Sequence, residues 1–229
     1  LSYILNIETA TTVCSVSLSQ NEEVLFSKEL NEGFTHAENL HLFIEQALKE
    51  TRLKANQLNA IGVSKGPGSY TGLRIGVSTA KGLAYALNIP LISVDTLQIM
   101  AGSVLSKIME PDAFYCPMID ARRMEVYTAV FDSHLKIKTE IEALIVDELS
   151  IEKFKDYQKI YYFGDGAAKC QPLLSQLKNT EFIEGISPTA AHMTKLVHTK
   201  YLHKTFENIA YFEPFYLKNF MILKKKVKI

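Results

Sequence analysis

The chain has 229 residues, enough for one large or two small domains and for a core that holds without covalent staples. Hydrophobic residues make up 47%, aromatics 10% and charged residues 22%, which excludes disorder and collagen-like repeats. Lys and Arg number 25 and so do Asp and Glu; lone nucleic-acid binders usually carry a basic excess, so any such role here calls for a partner.

Three short strands open the chain. Tyr3–Ile7 is largely apolar, Val13–Ser19 alternates, and Glu22–Leu30 resumes after a turn at Gln20-Asn21, an antiparallel meander. Thr35-His-Ala-Glu38 has the pattern of a capping box. Behind it Leu40, Phe43, Ile44, Ala47 and Leu48 recur at helical spacing. Ala60–Ser64 is a strand broken by Gly66-Pro67-Gly68, and a second helix runs from about Thr71 to Leu87. Pro90–Val94 is a strand, and Asp95 is placed to cap a helix through Leu105.

Glu110-Pro111-Asp112 divides the chain into expected lobes 1–110 and 111–229. The second half reads as strands at Phe114–Ile119, Glu125–Phe131, Leu135–Ile141 and Ile160–Phe163, the last ended by Gly164-Asp165-Gly166. Ser187 is placed to cap a helix with Pro188 at its first position, striped by Met193, Leu196, Val197 and Tyr201. Each half begins with strand–turn–strand and goes on to helices, which points to two similar α/β lobes. The last thirteen residues hold Lys218, Lys224, Lys225, Lys226 and Lys228 and no acid. A solvated tail is the favoured reading, a phosphate-contacting arm the alternative.

Cys14, Cys116 and Cys170 form no CxxC pair, and a reducing, cytoplasmic setting fits them. No apolar run reaches the length of a membrane helix. The opening shows no signal-peptide pattern and, starting on Leu1, reads as a processed start.

The densest motif is Gly66-Pro-Gly-Ser-Tyr-Thr-Gly-Leu-Arg-Ile-Gly76, leaving a strand and entering a helix. Such a turn can cradle an anion. It lacks the Lys of a Walker loop and the spacing of a dinucleotide fingerprint, so a tight turn permitting close packing is favoured. Gly72, Gly76, Ala80 and Ala84 share one helix face, which lets another helix approach closely. The loop Glu8-Thr9-Ala10-Thr11-Thr12 lies where the actin-like ATPase superfamily places its phosphate-binding hairpin. Asp120-Ala121-Arg122-Arg123 begins the matching hairpin of the second half, and Gly164-Asp165-Gly166-Ala167 lies where the adenosine loop falls. The usual glycines are missing from both hairpins, and Glu8 replaces the usual Asp. No metal or nucleophile site is spaced correctly: His36/His41 and His198/His203 are five apart, and Ser78-Thr-Ala-Lys81 lies mid-helix without companion motifs.

Ile4-Leu-Asn-Ile-Glu-Thr-Ala-Thr11, Gly66–Gly76 continuing to Ala80-Lys-Gly-Leu-Ala84, Ile119-Asp-Ala-Arg122 with Glu125-Val-Tyr127, Gly164-Asp-Gly-Ala167 and Pro214-x-Tyr216-Leu217 together resemble the bacterial TsaB (YeaZ) family. The resemblance covers essentially the whole chain. Tyr70 stands where Phe is commoner, Glu8 where Asp is usual and Lys218 where Arg is usual. It implies an α/β, two-lobed actin-like, ribonuclease-H-like (ASKHA) fold. It also implies a non-catalytic partner of the TsaD transferase and the TsaE ATPase, making threonylcarbamoyl-adenosine in tRNAs that read codons beginning with A. The chain lacks the HxxxH metal pair of TsaD. On this reading no cofactor is required, although weak nucleotide binding at a vestigial crevice of Glu8, Thr9, Thr11, Asp120, Gly164 and Gly166 is possible. TsaD is expected to dock on the two N-lobe helices, through Leu40, Leu42, Ile44, Gly72, Leu73, Gly76, Ala80 and Ala84; the inward stripe is not readable from sequence. tRNA is met through the complex, and the free chain can pair with itself. The alternative is an active actin-like small-molecule kinase or ATPase with Glu8 organising magnesium.

Overall fold

The alternating opening folds into a meander of β1 (Tyr3–Glu8), β2 (Cys14–Gln20) and β3 (Glu23–Leu30), antiparallel, with Glu8 opposite Ser15. The computed structural model describes residues 1–33 and 35–218. Lys224, Lys225, Lys226 and Lys228 of the basic tail lie outside the described residues. After helix α1 (His36–Thr51), β4 (Ala60–Gly66) adds in parallel to β1. Helix α2 (Tyr70–Leu87) crosses to β5 (Leu91–Asp95), parallel to β4, and α3 (Thr96–Leu105) leaves it. The second half repeats the plan with β6 (Phe114–Asp120), β7 (Glu125–Thr128), β8 (Glu142–Ile145), β9 (Ile160–Phe163), α4 (Ala167–Leu174), β10 (Thr180–Ile183) and α5 (Ala190–Leu202). The two sheets have orders β3-β2-β1-β4-β5 and β10-β9-β6-β7-β8. Read from β8, the second order is third, second, first, fourth, fifth, as in the first, with the same parallel and antiparallel pairings. This duplicated five-stranded topology is that of the actin-like fold.

Each sheet buries both faces. On the first, Leu5, Ile7, Leu18, Ile61 and Val63 pack under α1 and α2 with Leu40, Phe43, Val77, Ala80 and Ala84. On its other face Ile4, Ile92 and Val94 meet Ile99 of α3 and Met193 and Val197 of α5. Each large aliphatic side chain so buried contributes about 1.5–3 kcal/mol before entropy is counted. The hydroxyl side of β2 is covered as well: Ala190 N–H donates to Ser15 Oγ at 3.0 Å, and Ser17 Oγ donates to Ala190 O at 2.9 Å. Helix α3 serves both lobes, since Leu97, Met100 and Ala101 pack on Tyr115, Tyr161 and Phe163 of the second sheet. Thus α5, from the second half, closes the first sheet, while α3, from the first half, covers the second.

Several local expectations are corrected. Thr35 precedes α1, but its side chain makes no cap hydrogen bond; the Glu38 and Asn39 amides donate to the Thr35 carbonyl oxygen instead. Asp95 precedes α3 without capping it, and pairs with Lys65 at 3.3 Å. Leu135–Ile141 is not a strand: Asp132 Oδ1 accepts from the His134 and Lys136 amides, and Leu135 sits at φ 58°, so the chain turns there and β8 starts at Glu142. Helix α5 begins at Ala190, with Thr189 rather than Ser187 at its cap position. Among the described residues no helix is long and apolar enough to cross a membrane, and all three cysteines are buried free thiols.

Candidate functional site

The loop between β1 and β2 is folded into the protein. Glu8 is fully buried; Oε1 accepts from Ala10 N–H at 2.6 Å, and Oε2 has no hydrogen-bond partner. Burial pushes its carboxyl up to about 7, partly offset by the Ala10 amide. Thr9 Oγ1 donates to Gly72 O at 2.8 Å. Thr11 Oγ1 accepts from Val13 N–H, and the Thr11 carbonyl accepts from His36 Nε2 at 2.8 Å, tying the loop to α1. Burial holds His36 below its usual range, so the ring stays neutral.

The glycine-rich segment explains how the loop fits. A β-carbon on Gly72 would strike the Thr9 carbonyl, one on Gly76 the Thr9 hydroxyl, and one on Gly68 the Ala10 carbonyl. Ser69 N–H donates to Ala10 O at 2.7 Å, and Ser69 Oγ caps α2 by accepting from Gly72 N–H at 3.3 Å. The segment is therefore a seat for the chain's own hairpin, which the close-packing reading anticipates. The second lobe repeats the device. Side chains at Gly164 or Gly166 would collide with Met118 O and with Ile119 and Val126. Asp120 is exposed; despite some burial, Lys169 and the Arg122 amide hold its carboxyl low, and its own amide donates to Asp165 Oδ1 at 2.9 Å.

A C-terminal strap crosses between the lobes. Glu207 N–H donates to Leu91 O, Lys81 Nζ to Phe212 O at 2.8 Å, and Phe215 N–H to Lys65 O at 2.7 Å. The Tyr216 ring packs against Tyr70 with centroids 4.7 Å apart and planes tilted by 31°, and Lys218 pairs with Glu125 on β7. No spacing rule reveals this role; the only signal in the sequence is the Pro214-x-Tyr216-Leu217 motif. Beside the strap a crevice of about 630 Å³ opens between Lys65 and Asp95, the 137–141 segment and Phe215. None of Glu8, Thr9, Thr11, Asp120, Gly164 and Gly166 lines it.

The structure settles which stripe of each helix faces inward. Leu40, Ile44, Gly72, Leu73, Gly76, Ala80 and Ala84 are buried in the first lobe, so the small-residue face of α2 is covered by its own hairpin and sheet. Of the eight interface residues expected from sequence, only Leu42 is exposed, at 49%; Tyr85 joins it at 79%. Helices α1 and α2 touch one another, and each leaves a row exposed, Ala37, His41, Leu42 and Glu45 on α1 and Arg74, Ser78, Gly82 and Tyr85 on α2.

Residues 33–217 match the family model of TsaD, tRNA N6-adenosine threonylcarbamoyltransferase. The tRNA threonylcarbamoyladenosine biosynthesis protein TsaB of Buchnera aphidicola subsp. Acyrthosiphon pisum is 30% identical over 79% of this chain and 83% of its own length. The chain belongs to the TsaB (YeaZ) family. TsaB of Haemophilus influenzae is 28% identical over 97% of this chain and 96% of its own. The structure of YeaZ from Pseudomonas aeruginosa superposes with a TM-score of 0.80 at 22% identity, covering 95% of this chain and all of that one. Outside the TsaB family, an inorganic polyphosphate/ATP-glucomannokinase from Arthrobacter sp. strain KM shares the fold, with a TM-score of 0.51 at 10% identity, covering 89% of this chain and all of that one.

Proposed function

We propose that this chain serves the threonylcarbamoyladenosine modification of tRNA as a non-catalytic partner subunit of a TsaD-type transferase, working in the cytoplasm with a TsaE-type ATPase. The observation that carries the non-catalytic part is the buried hairpin. The acid at the phosphate-loop position has no exposed atom surface, and the glycines that would cradle a nucleotide instead receive Thr9 and Ala10. A phosphate or magnesium ion reaching Glu8 would have to displace the loop from α2 and α1. The sequence also lacks the HxxxH pair, so the transfer chemistry falls to the partner.

The partner surface is the outer face of α1 and α2. Leu42 and Tyr85 are exposed on two helices that touch one another, and each offers an apolar anchor to a helix pair of the transferase, in four-helix packing. tRNA is met through the complex, consistent with the balanced charge. The test is reconstitution. The chain mixed with TsaD should elute as one complex, and modification of tRNA in the presence of TsaE and the activated threonylcarbamoyl donor should require both. Steady ATP turnover by the purified chain, abolished by Glu8→Ala, would overturn the non-catalytic reading in favour of a kinase or ATPase.

A further inference from the structure

A second cleft, of about 740 Å³, lies between the end of β3, the chain leaving α3 and the entry to α5. That size suits a small molecule. Its lining includes none of the six crevice residues named above. Glu29 and Glu32 come from the β3 side, Lys107 from the turn after α3, and His192 from the first turn of α5. Val13 and Ile186 add apolar wall.

The charges of this cleft are not used inside the protein. Glu29, Glu32 and Lys107 are exposed, and among the described residues none of the three makes an ion pair or side-chain hydrogen bond. His192 is fixed by Thr189 Oγ1 at 3.0 Å from Nδ1, and burial together with Lys107 holds it below its usual range, hence neutral. The cleft therefore offers two carboxylates and one ammonium. A ligand of a single charge would satisfy one side and leave the other facing it with like charge. A ligand bearing both signs satisfies both, and charge-assisted hydrogen bonds of each kind are the strong ones.

We propose that this cleft binds a small zwitterion of the free amino-acid or dipeptide type, its ammonium held by Glu29 and Glu32 and its carboxylate by Lys107. The neutral His192 and the Val13–Ile186 wall leave room for an uncharged side chain.

The test is titration of the full chain, followed by ligand-detected NMR, with glycine, L-alanine, L-glutamine and L-alanyl-L-alanine as probes, and propylamine and propionate as single-charge controls. At least one zwitterion should saturate with a Kd in the millimolar range or tighter, and both controls should bind about tenfold more weakly. Lys107→Met and Glu32→Gln should each weaken that zwitterion about tenfold. Circular dichroism checks that each variant is folded, and Lys107→Gln asks the same question should Lys107→Met fail to fold. The proposal is wrong if no zwitterion saturates by about 20 mM, a very weak limit. It is equally wrong if either control binds as well as the zwitterion, or if either folded variant keeps the parent affinity.

Discussion

Thr9 and Gly76 meet so closely that the threonine hydroxyl occupies the space a β-carbon on the glycine would need. The same hydroxyl donates to Gly72 O at 2.8 Å, one helical turn earlier, so the contact fixes the loop against α2 at two levels. Gly76→Ala gains about 1 kcal/mol of helix propensity but forces Thr9 aside, an overpacking cost of about 1–3 kcal/mol. Gly76→Ala should therefore lower stability in urea unfolding. Thr9→Ala removes the colliding hydroxyl, so the double variant should lose clearly less than the sum of the two singles. Additive losses, within about 0.5 kcal/mol, would sink this account of the loop.

Glu8 makes stability depend on pH. The folded chain holds its proton up to about pH 7, against 4.5 for a free glutamate side chain, because burial disfavours the carboxylate. Its contribution is fully present below pH 4.5, declines as pH rises, and is lost above about pH 7, where ionising the buried carboxyl costs up to ~3 kcal/mol. Glu8→Gln keeps an acceptor for Ala10 N–H and carries no charge. It should match the parent near pH 4 and exceed it by about 1–3 kcal/mol at pH 8. Denaturant midpoints of the two proteins that stay parallel from pH 4 to pH 8 would contradict the assignment.

The inner and outer faces of the two first-lobe helices should respond oppositely to an introduced arginine. Ala80 is fully buried, and Ala80→Arg places an unpaired charge in the core, so the variant should not fold. Leu42→Arg and Tyr85→Arg change exposed positions and should keep native circular dichroism. Each should weaken association with TsaD, and self-association of the free chain, by tenfold or more, as read by size-exclusion chromatography with mass detection. Wild-type binding by both folded variants places the interface on another surface.

The strap is held partly by the tilted Tyr70–Tyr216 ring contact, worth about 0.5–1.5 kcal/mol. Tyr216→Ala should speed amide exchange at Phe215, whose N–H donates to Lys65 O, and leave exchange in β1 unchanged. Unaltered protection at Phe215 means that other contacts suffice to seat the strap.

The duplicated architecture is legible in the sequence where strands are long and alternate, as in Tyr3–Leu30, or lie between clear breakers, as in Ile160–Phe163. It fails where tertiary contacts decide. Leu135, Ile137 and Ile141 alternate like a strand, yet the Asp132 carboxylate captures the amides that a strand would need. Helix α4 is only eight residues and carries Pro172, too short for a stripe to register. In α2 both the small face and the opposite face are compatible with burial; what selects the small face is Thr9, over sixty residues earlier, and no local pattern contains that distance. Glu8 belongs to the same class. An acid in a strand-ending loop reads as a ligand-facing group, and only the folded hairpin shows it turned into the core.

The covering of the first sheet by α5 sets a timetable for synthesis. Ile4, Ile92 and Val94 have emerged once β5 is made, but Met193 and Val197, which cover them, are encoded roughly a hundred residues later. At about 5–20 residues per second this apolar face waits some seconds, on the order of 5–20 s, for its last layer. During that interval the nascent chain presents a half-covered sheet to whatever lies near the ribosome exit. The first half is then a passenger awaiting its lid, and chaperone dependence should fall on fragments that stop before residue 190.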